Sequence, residues 1–175
     1  MIISLDEKRK VNIGKDVLVA PGAKIIGDVK VGDRCSIWFN TTVRGDVMPI
    51  VIGDESNIQD GTVVHGTYKK FGVTIGRRVS VGHNVLLHGC EIGDECLIGM
   101  GAIIMDGVKL AAKTLVAAGS VVSPGKSFPG SVLLKGRPAK IDRELTAEEI
   151  EFLSQSANNY LFYKTWYPQF HGGES

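Results

Sequence analysis

The chain has 175 residues, with 20 Lys and Arg against 19 Asp and Glu, a formal net charge of +1. That balance gives no electrostatic case for a nucleic-acid or anionic-membrane partner. Hydrophobic residues make up 43% and charged residues 22%, which excludes a disordered chain, and 22 glycines beside 6 prolines exclude a collagen-like one.

The N-terminal stretch Met1–Lys10 lacks the charged-then-apolar order of a signal peptide, and no apolar run approaches the roughly 20 residues of a membrane helix. Cys35, Cys90 and Cys96 form no C-x-x-C. The expectation is a single cytoplasmic domain with reduced thiols packed as small core residues.

Two compositions are joined in the chain. All 19 valines precede residue 133, and seven of the twelve aromatics follow residue 150. The first part repeats with period six. Aliphatic residues occupy Ile13, Val19, Ile25, Val31, Ile37 and Val43, then Ile52, Ile58 and Val64, then Ile75, Val81 and Leu87. The series ends with Ile92, Ile98, Ile104, Leu110, Val116 and Val122. Three residues are added before Ile52, five before Ile75, and one is missing before Ile92.

A hexad fits one short strand and one corner, so three hexads close a triangular coil and 18 hexads make about six coils. Small residues such as Cys35 and Thr41, four positions after the aliphatic, fit the crowded interior. The pattern predicts a β-helix over 11–125, a connecting segment over 126–145, a helix over 146–167 and a tail over 168–175. Thr146 and Glu149 have capping-box spacing, and Ile150, Leu153, Ala157 and Leu161 follow a 3–4 spacing. Tyr160, Tyr163, Trp166 and Tyr167 extend that apolar side.

The residue after each inward aliphatic is usually small; Arg44, Gln59, His65 and His88 break the habit. Arg44 to His65 is one coil plus the three added residues, and His65 to His88 is one coil plus the five added. The three therefore stack in one column, with coils about 4.8 Å apart. Two stacked histidines can converge on one metal with bonds of about 2.0–2.1 Å. His83 lies on another face of the triangle and reaches such an ion only from a neighbouring chain. His171 falls in the polar tail and is expected to play no part. A lone strand histidine is more often a surface residue than a ligand. Three of four histidines within 24 residues, two of them in register, favour the metal. Imidazole donors without a nearby thiolate suit Zn²⁺, Fe²⁺ or Co²⁺.

Arg44-Gly45-Asp46, Asn57-Ile58-Gln59-Asp60, His65, Gly82-His83 and His88-Gly89 resemble the γ-class carbonic anhydrases and their relatives. The resemblance covers the repeats and the C-terminal helix. It implies a left-handed parallel β-helix, a homotrimer, and a metal between subunits held by His65 and His88 of one chain and His83 of the next. It implies reversible hydration of CO₂ to bicarbonate by a hydroxide formed at that metal. In that resemblance Gln59 holds the hydroxide, Arg44 pairs with Asp46 and Asp60 at the interface, and Asn57 and Tyr160 lie near the site. The acidic proton-shuttle loop of the family is missing: the added segments are Val47-Met48-Pro49 and Gly66-Thr67-Tyr68-Lys69-Lys70-Phe71, neither with an acid. This departure implies weak or buffer-dependent turnover. Two other functions remain open, a coenzyme A-dependent acyltransferase and a non-catalytic trimeric scaffold on the same fold.

Overall fold

The computed structural model describes residues 1–170; His171 lies outside them. The chain winds as a parallel β-solenoid of about seven turns, with three short strands per turn on the three faces of a prism. One face carries Val63–His65, Leu86–His88, Ile103–Ile104 and Val121–Val122 in parallel register. The long strands Lys24–Val31 and Thr42–Ile52 begin on this face and bend around a corner onto the second. There they pair with Val11–Ile13 and Val73–Ile75 respectively, and Glu91–Ile92, Lys109–Leu110 and Ser127–Phe128 follow. The third face is a separate sheet that includes Leu18–Val19, Ser36–Ile37, Asn57–Ile58, Ser80–Val81, Leu97–Ile98 and Leu115–Val116.

The inward positions account for this shape. Ile25, Val43, Val64, Leu87, Ile104 and Val122 form one column, each 0% exposed. Burying such a side chain contributes about 1.5–3 kcal/mol, so each turn is held on its neighbours by apolar area. Small hydroxyl residues beside the columns satisfy backbone carbonyls of the next turn: Thr41 Oγ1 donates to Gln59 O at 3.0 Å and Thr62 Oγ1 to Gly82 O at 2.9 Å. The three thiols are free and buried, and burial raises Cys35 and Cys90 to about 12 and Cys96 to about 11.

Corners demand left-handed backbone. At one corner Gly61 (φ +69°) lies under Asn84 (φ +56°), and a Cβ on Gly61 would strike the Asn84 side chain. Val47-Met48-Pro49 is taken up as an irregularity inside the strand Thr42–Ile52 where it rounds the corner, and the 66–71 segment loops out at the next turn's corner, so pairing resumes in register beyond each.

The solenoid runs further than the hexad series suggested. Ser123-Pro124-Gly125 forms a corner, with Gly125 at φ +69°, rather than an end. Phe128 and Leu134 then continue the sixfold spacing as register partners of Leu110 and Val116. Residues 127–136 therefore complete, after Val121–Val122, a seventh turn where a connecting segment was expected. Ala139–Glu144 returns antiparallel to Val132–Gly136 and closes that edge of the sheet.

The helix spans Ala147–Tyr163, with Thr146 and Glu149 forming a reciprocal capping box. It lies on the third face. Leu153, Ser156 and Ala157 are its buried positions, while Ile150 and Leu161 are half-buried. Arg78 ties it down, donating to the Ser154 hydroxyl at 3.0 Å and Asn158 Oδ1 at 2.9 Å while pairing with buried Glu55. Lys164, 3% exposed, donates to Asp16 O at 2.6 Å and Asp16 Oδ2 at 2.8 Å. Trp38 of the prism receives Tyr160 and Tyr167 edge-on at 5.5 and 5.6 Å. Trp166, expected to extend that apolar side, is turned outward at 59% exposure. Among the described residues, no helix is long and apolar enough to cross a membrane.

Ile98→Ala, in the centre of the third-face column at 0% exposure, is expected to lower stability by about 2–5 kcal/mol. Ile141→Ala, at 48% exposure, is expected to stay within about 0.5 kcal/mol. Urea unfolding at one fixed protein concentration checks both.

Candidate metal centre

The parallel register places Arg44 beside His65 and His65 beside His88 on successive turns. The two imidazoles meet: His65 Nδ1 lies 3.3 Å from His88 Nε2, with ring centroids 5.3 Å apart. Their other nitrogens are spoken for. His65 Nε2 is 3.0 Å from Asp46 Oδ1, and His88 Nδ1 is 2.6 Å from Asp106 Oδ1.

Partial burial pushes both carboxyl groups up in pKa, but other effects outweigh it. Hydrogen bonds from His65 and Arg44 and the Arg44 charge leave Asp46 net below the ordinary value; hydrogen bonds from Thr67 and His88 do the same for Asp106. Both are therefore anions at neutral pH, and each accepts the N–H of its histidine.

This fixes the tautomers. A neutral His65 carries its proton on Nε2 and a neutral His88 carries its on Nδ1. The two unprotonated nitrogens then aim lone pairs at each other across 3.3 Å. Facing lone pairs repel unless a cation lies between them. Two nitrogens bonded at about 2.0–2.1 Å to one tetrahedral ion are themselves about 3.3–3.4 Å apart. The pair present here fits a divalent ion in spacing, in tautomer and in its backing carboxylates.

His83 stands elsewhere. It follows Ser80–Val81 on the third face, and its Nδ1 lies 2.8 Å from Asp60 Oδ2. Thus His65, His83 and His88 each have a carboxylate behind them, but only two of them converge within one chain. Among the described residues no group of three His, Cys, Asp or Glu side chains forms a metal cluster. Cys90, two residues from His88, is 1% exposed and faces the core.

The other candidate residues divide between the two places. Arg44 Nη1 pairs with Asp46 Oδ2 within the chain, while Asp60 pairs with His83 rather than Arg44. Gln59 and Asn57, 6% and 1% exposed, lie on the third face, and Gln59 Nε2 donates to Asn57 Oδ1 at 3.0 Å. Tyr160 and Gln59 line a groove of about 490 Å³ with His83, Leu97, Leu115 and Phe152. Burial, with the Asp60 charge nearby, raises the Tyr160 phenol to about 12, so it stays neutral.

The sequence pattern missed Asp106. A signal existed: Ile104 is the register partner of Leu87, so Asp106 lies one turn beyond His88, displaced by one position. Thr67 Oγ1 donates to Asp106 Oδ2 at 2.6 Å, which anchors the 66–71 loop to the back of His88. Ser80 and Ser156 were also missed, because serine at a repeat or on a helix carries no pattern of its own.

Comparison with known proteins bears on the fold and the family. The bacterial transferase hexapeptide (six repeats) family matches residues 10–45 and 89–124, and the hexapeptide repeat of succinyl-transferase matches 72–105. These repeats fit a left-handed β-helix. Carbonic anhydrase from Geobacillus kaustophilus is 41% identical over 149 residues, covering 85% of this chain and 81% of that protein. Mitochondrial gamma carbonic anhydrase 2 of Arabidopsis thaliana is 45% identical over 154 residues, covering 85% of this chain and 55% of its own length.

The chain belongs to the γ-class carbonic anhydrase family. It spans about half the length of the two Arabidopsis relatives, 55% and 56%. A crystal structure of a hexapeptide transferase family protein from Anaplasma phagocytophilum shares the fold at TM-score 0.86. It is 41% identical, over 90% of this chain and 92% of that one.

Asp106→Asn removes the anion behind His88 and is expected to weaken Zn²⁺ affinity about 10- to 100-fold. Competition against a chromophoric chelator measures it; an unchanged affinity would separate Asp106 from the ion.

Proposed function

We propose that this chain catalyses the reversible hydration of CO₂ to bicarbonate at sites shared between subunits of a homotrimer. His65 and His88 of one chain and His83 of its neighbour would hold Zn²⁺, Fe²⁺ or Co²⁺. The facing lone pairs of His65 and His88, each imidazole backed by an ionised aspartate, carry this reading.

The ion, when bound, lowers the pKa of water from 15.7 toward about 7 and so supplies hydroxide at neutral pH. The rest falls to the chain. Asp46, Asp60 and Asp106 orient His65, His83 and His88. Gln59, held by Asn57, presents an amide beside His83 and orients the attacking oxygen. Tyr160 and the apolar groove next to it suit a small non-polar substrate and keep bulk water away. Arg44 joins subunits through aspartates, with Asp46 already paired in its own chain.

Proton removal is the weak step. The 66–71 loop offers Lys69 and Lys70 and no acid, and its Tyr68 is 63% exposed. A carboxylate near the operating pH relays protons better than either. Turnover is therefore expected to depend on buffer.

Metal content of protein purified without oxygen or chelators, followed by CO₂ hydration with that metal restored, tests the proposal. Near one ion per chain with hydration supports it. A metal-free protein that binds coenzyme A would favour the acyltransferase reading, and a metal-loaded but inert one the scaffold reading. His83→Ala should lose most of the metal while remaining trimeric in sedimentation; retained metal or a monomeric wild type would remove the shared site. Tyr68→Glu should raise turnover several-fold in dilute buffer and little in concentrated buffer.

A further inference from the structure

Behind Gln59 runs a line of buried hydrogen bonds that ends on the C-terminal helix. Gln59 Nε2 donates to Asn57 Oδ1 at 3.0 Å, Asn57 Nδ2 donates to Ser80 Oγ at 2.9 Å, and the Ser80 and Ser156 hydroxyls share a hydrogen bond with their oxygens 3.0 Å apart. All four residues are buried, at 6%, 1%, 1% and 9% exposure in that order from Gln59. Among the described residues, Gln59 Oε1 has no hydrogen bond, and every buried side-chain nitrogen or oxygen has a partner. That oxygen is therefore at the accessible end of the line, in the groove with His83 and Tyr160.

An amide has a donor end and an acceptor end of the same shape, so a row of amides has two polarities. Serine can serve either one, because its hydroxyl rotates. The choice is made at Ser80. Ser80 has one O–H to give: spent on Ser156 Oγ, it leaves only lone pairs toward Asn57, which must then offer its NH₂. Asn57 then turns Oδ1 toward Gln59, Gln59 answers with its own NH₂, and Oε1 is left for the groove. If Ser80 instead donated to Asn57, both amides would flip and Gln59 would present NH₂.

We propose that Ser156 and Ser80 are positioning residues: through Asn57 they fix which end of the Gln59 amide faces the candidate site. The inference rests on the carbonic anhydrase reading for its activity test, but the relay also has a readout of its own. It gives the C-terminal helix a part in the site beyond covering the third face. The part is carried by a serine where the buried stripe would otherwise be apolar, between Leu153 and Ala157.

The test is a double-mutant cycle on the metal-loaded full chain. Ser156→Ala should lower kcat/KM for CO₂ hydration about tenfold, in line with loss of one buried hydrogen bond. Metal content should not change. The pH midpoint of visible absorption in the Co²⁺-loaded protein should shift. In a Gln59→Ala background, Ser156→Ala should have no further effect on either quantity, because its influence passes through that amide. Ser154→Ala, which removes a hydroxyl partner of Arg78 on the same helix, should reduce thermal stability and leave both quantities in place.

Equal effects of Ser156→Ala with and without Gln59, or no effect on either quantity, would overturn the relay. If Ser80→Ala fails to fold, Ser156→Ala alone carries the result. If the loaded wild type hydrates no CO₂, the functional reading fails, and the Co²⁺ midpoint in the same cycle still decides the relay.

Discussion

The stacking of aliphatic columns is the constraint on which everything else depends. A one-residue slip in a strand exchanges its inward and outward sets, so each turn is locked to the next by buried area. Ile25, Val43, Val64, Leu87, Ile104 and Val122, all 0% exposed, hold a single register over six turns. Extra residues cannot enter that register and are pushed into corners. The segment after Asp46 is absorbed as an irregularity where its strand rounds a corner, the segment after His65 loops out at one, and pairing resumes in phase beyond each. The outward neighbours of the column inherit its order, which is why Arg44, His65 and His88 stand in line. The core thus positions the candidate site without touching it.

Charge then refines what register places. A parallel column puts like residues on top of one another, and two stacked imidazoles gain nothing by themselves. Asp46 enters from the same strand as Arg44, and Asp106 from the turn beyond His88. Each takes the proton-bearing nitrogen of one ring, and the two remaining nitrogens are left facing. Thr67 holds the far oxygen of Asp106, so the 66–71 loop braces His88. A loop without an acid still has a structural task at the site.

Much of this was legible in the sequence, for physical reasons. The sixfold spacing appears because the inside of a narrow prism admits little besides aliphatic and small side chains. The helix start appears because Thr146 and Glu149 satisfy each other's backbone donors. The histidine column follows from counting residues per coil. What stayed hidden depended on contacts that no period encodes. Pro124 and Gly125 read as a terminator, yet the same residues serve a corner, so the turn containing Phe128 and Leu134 was not expected. Asp106 belongs to the column only after a one-position displacement. Ser156 sits on the helix stripe where the 3–4 spacing leads one to expect an apolar residue. Trp166 has the spacing of a buried position, but the short turn that ends the helix directs it outward.

The division of the histidines follows from the prism itself. Neighbouring turns are about 4.8 Å apart, so two stacked donors can share an ion with bonds of about 2.1 Å, and a third in the same column would lie about twice that spacing away. A column therefore supplies at most two imidazoles to one centre. Another face of the same prism points its side chains away from the first, and His83 accordingly meets its own aspartate on the third face rather than the His65–His88 pair. A solenoid that needs three imidazoles around an ion must bring two faces together, and the outward side chains on two faces of one prism diverge. In the proposed site the third donor therefore comes from another molecule. In the proposed trimer, the stability of the prism and the incompleteness of its site have a single origin: a core rigid enough to hold register is too rigid to fold around a metal.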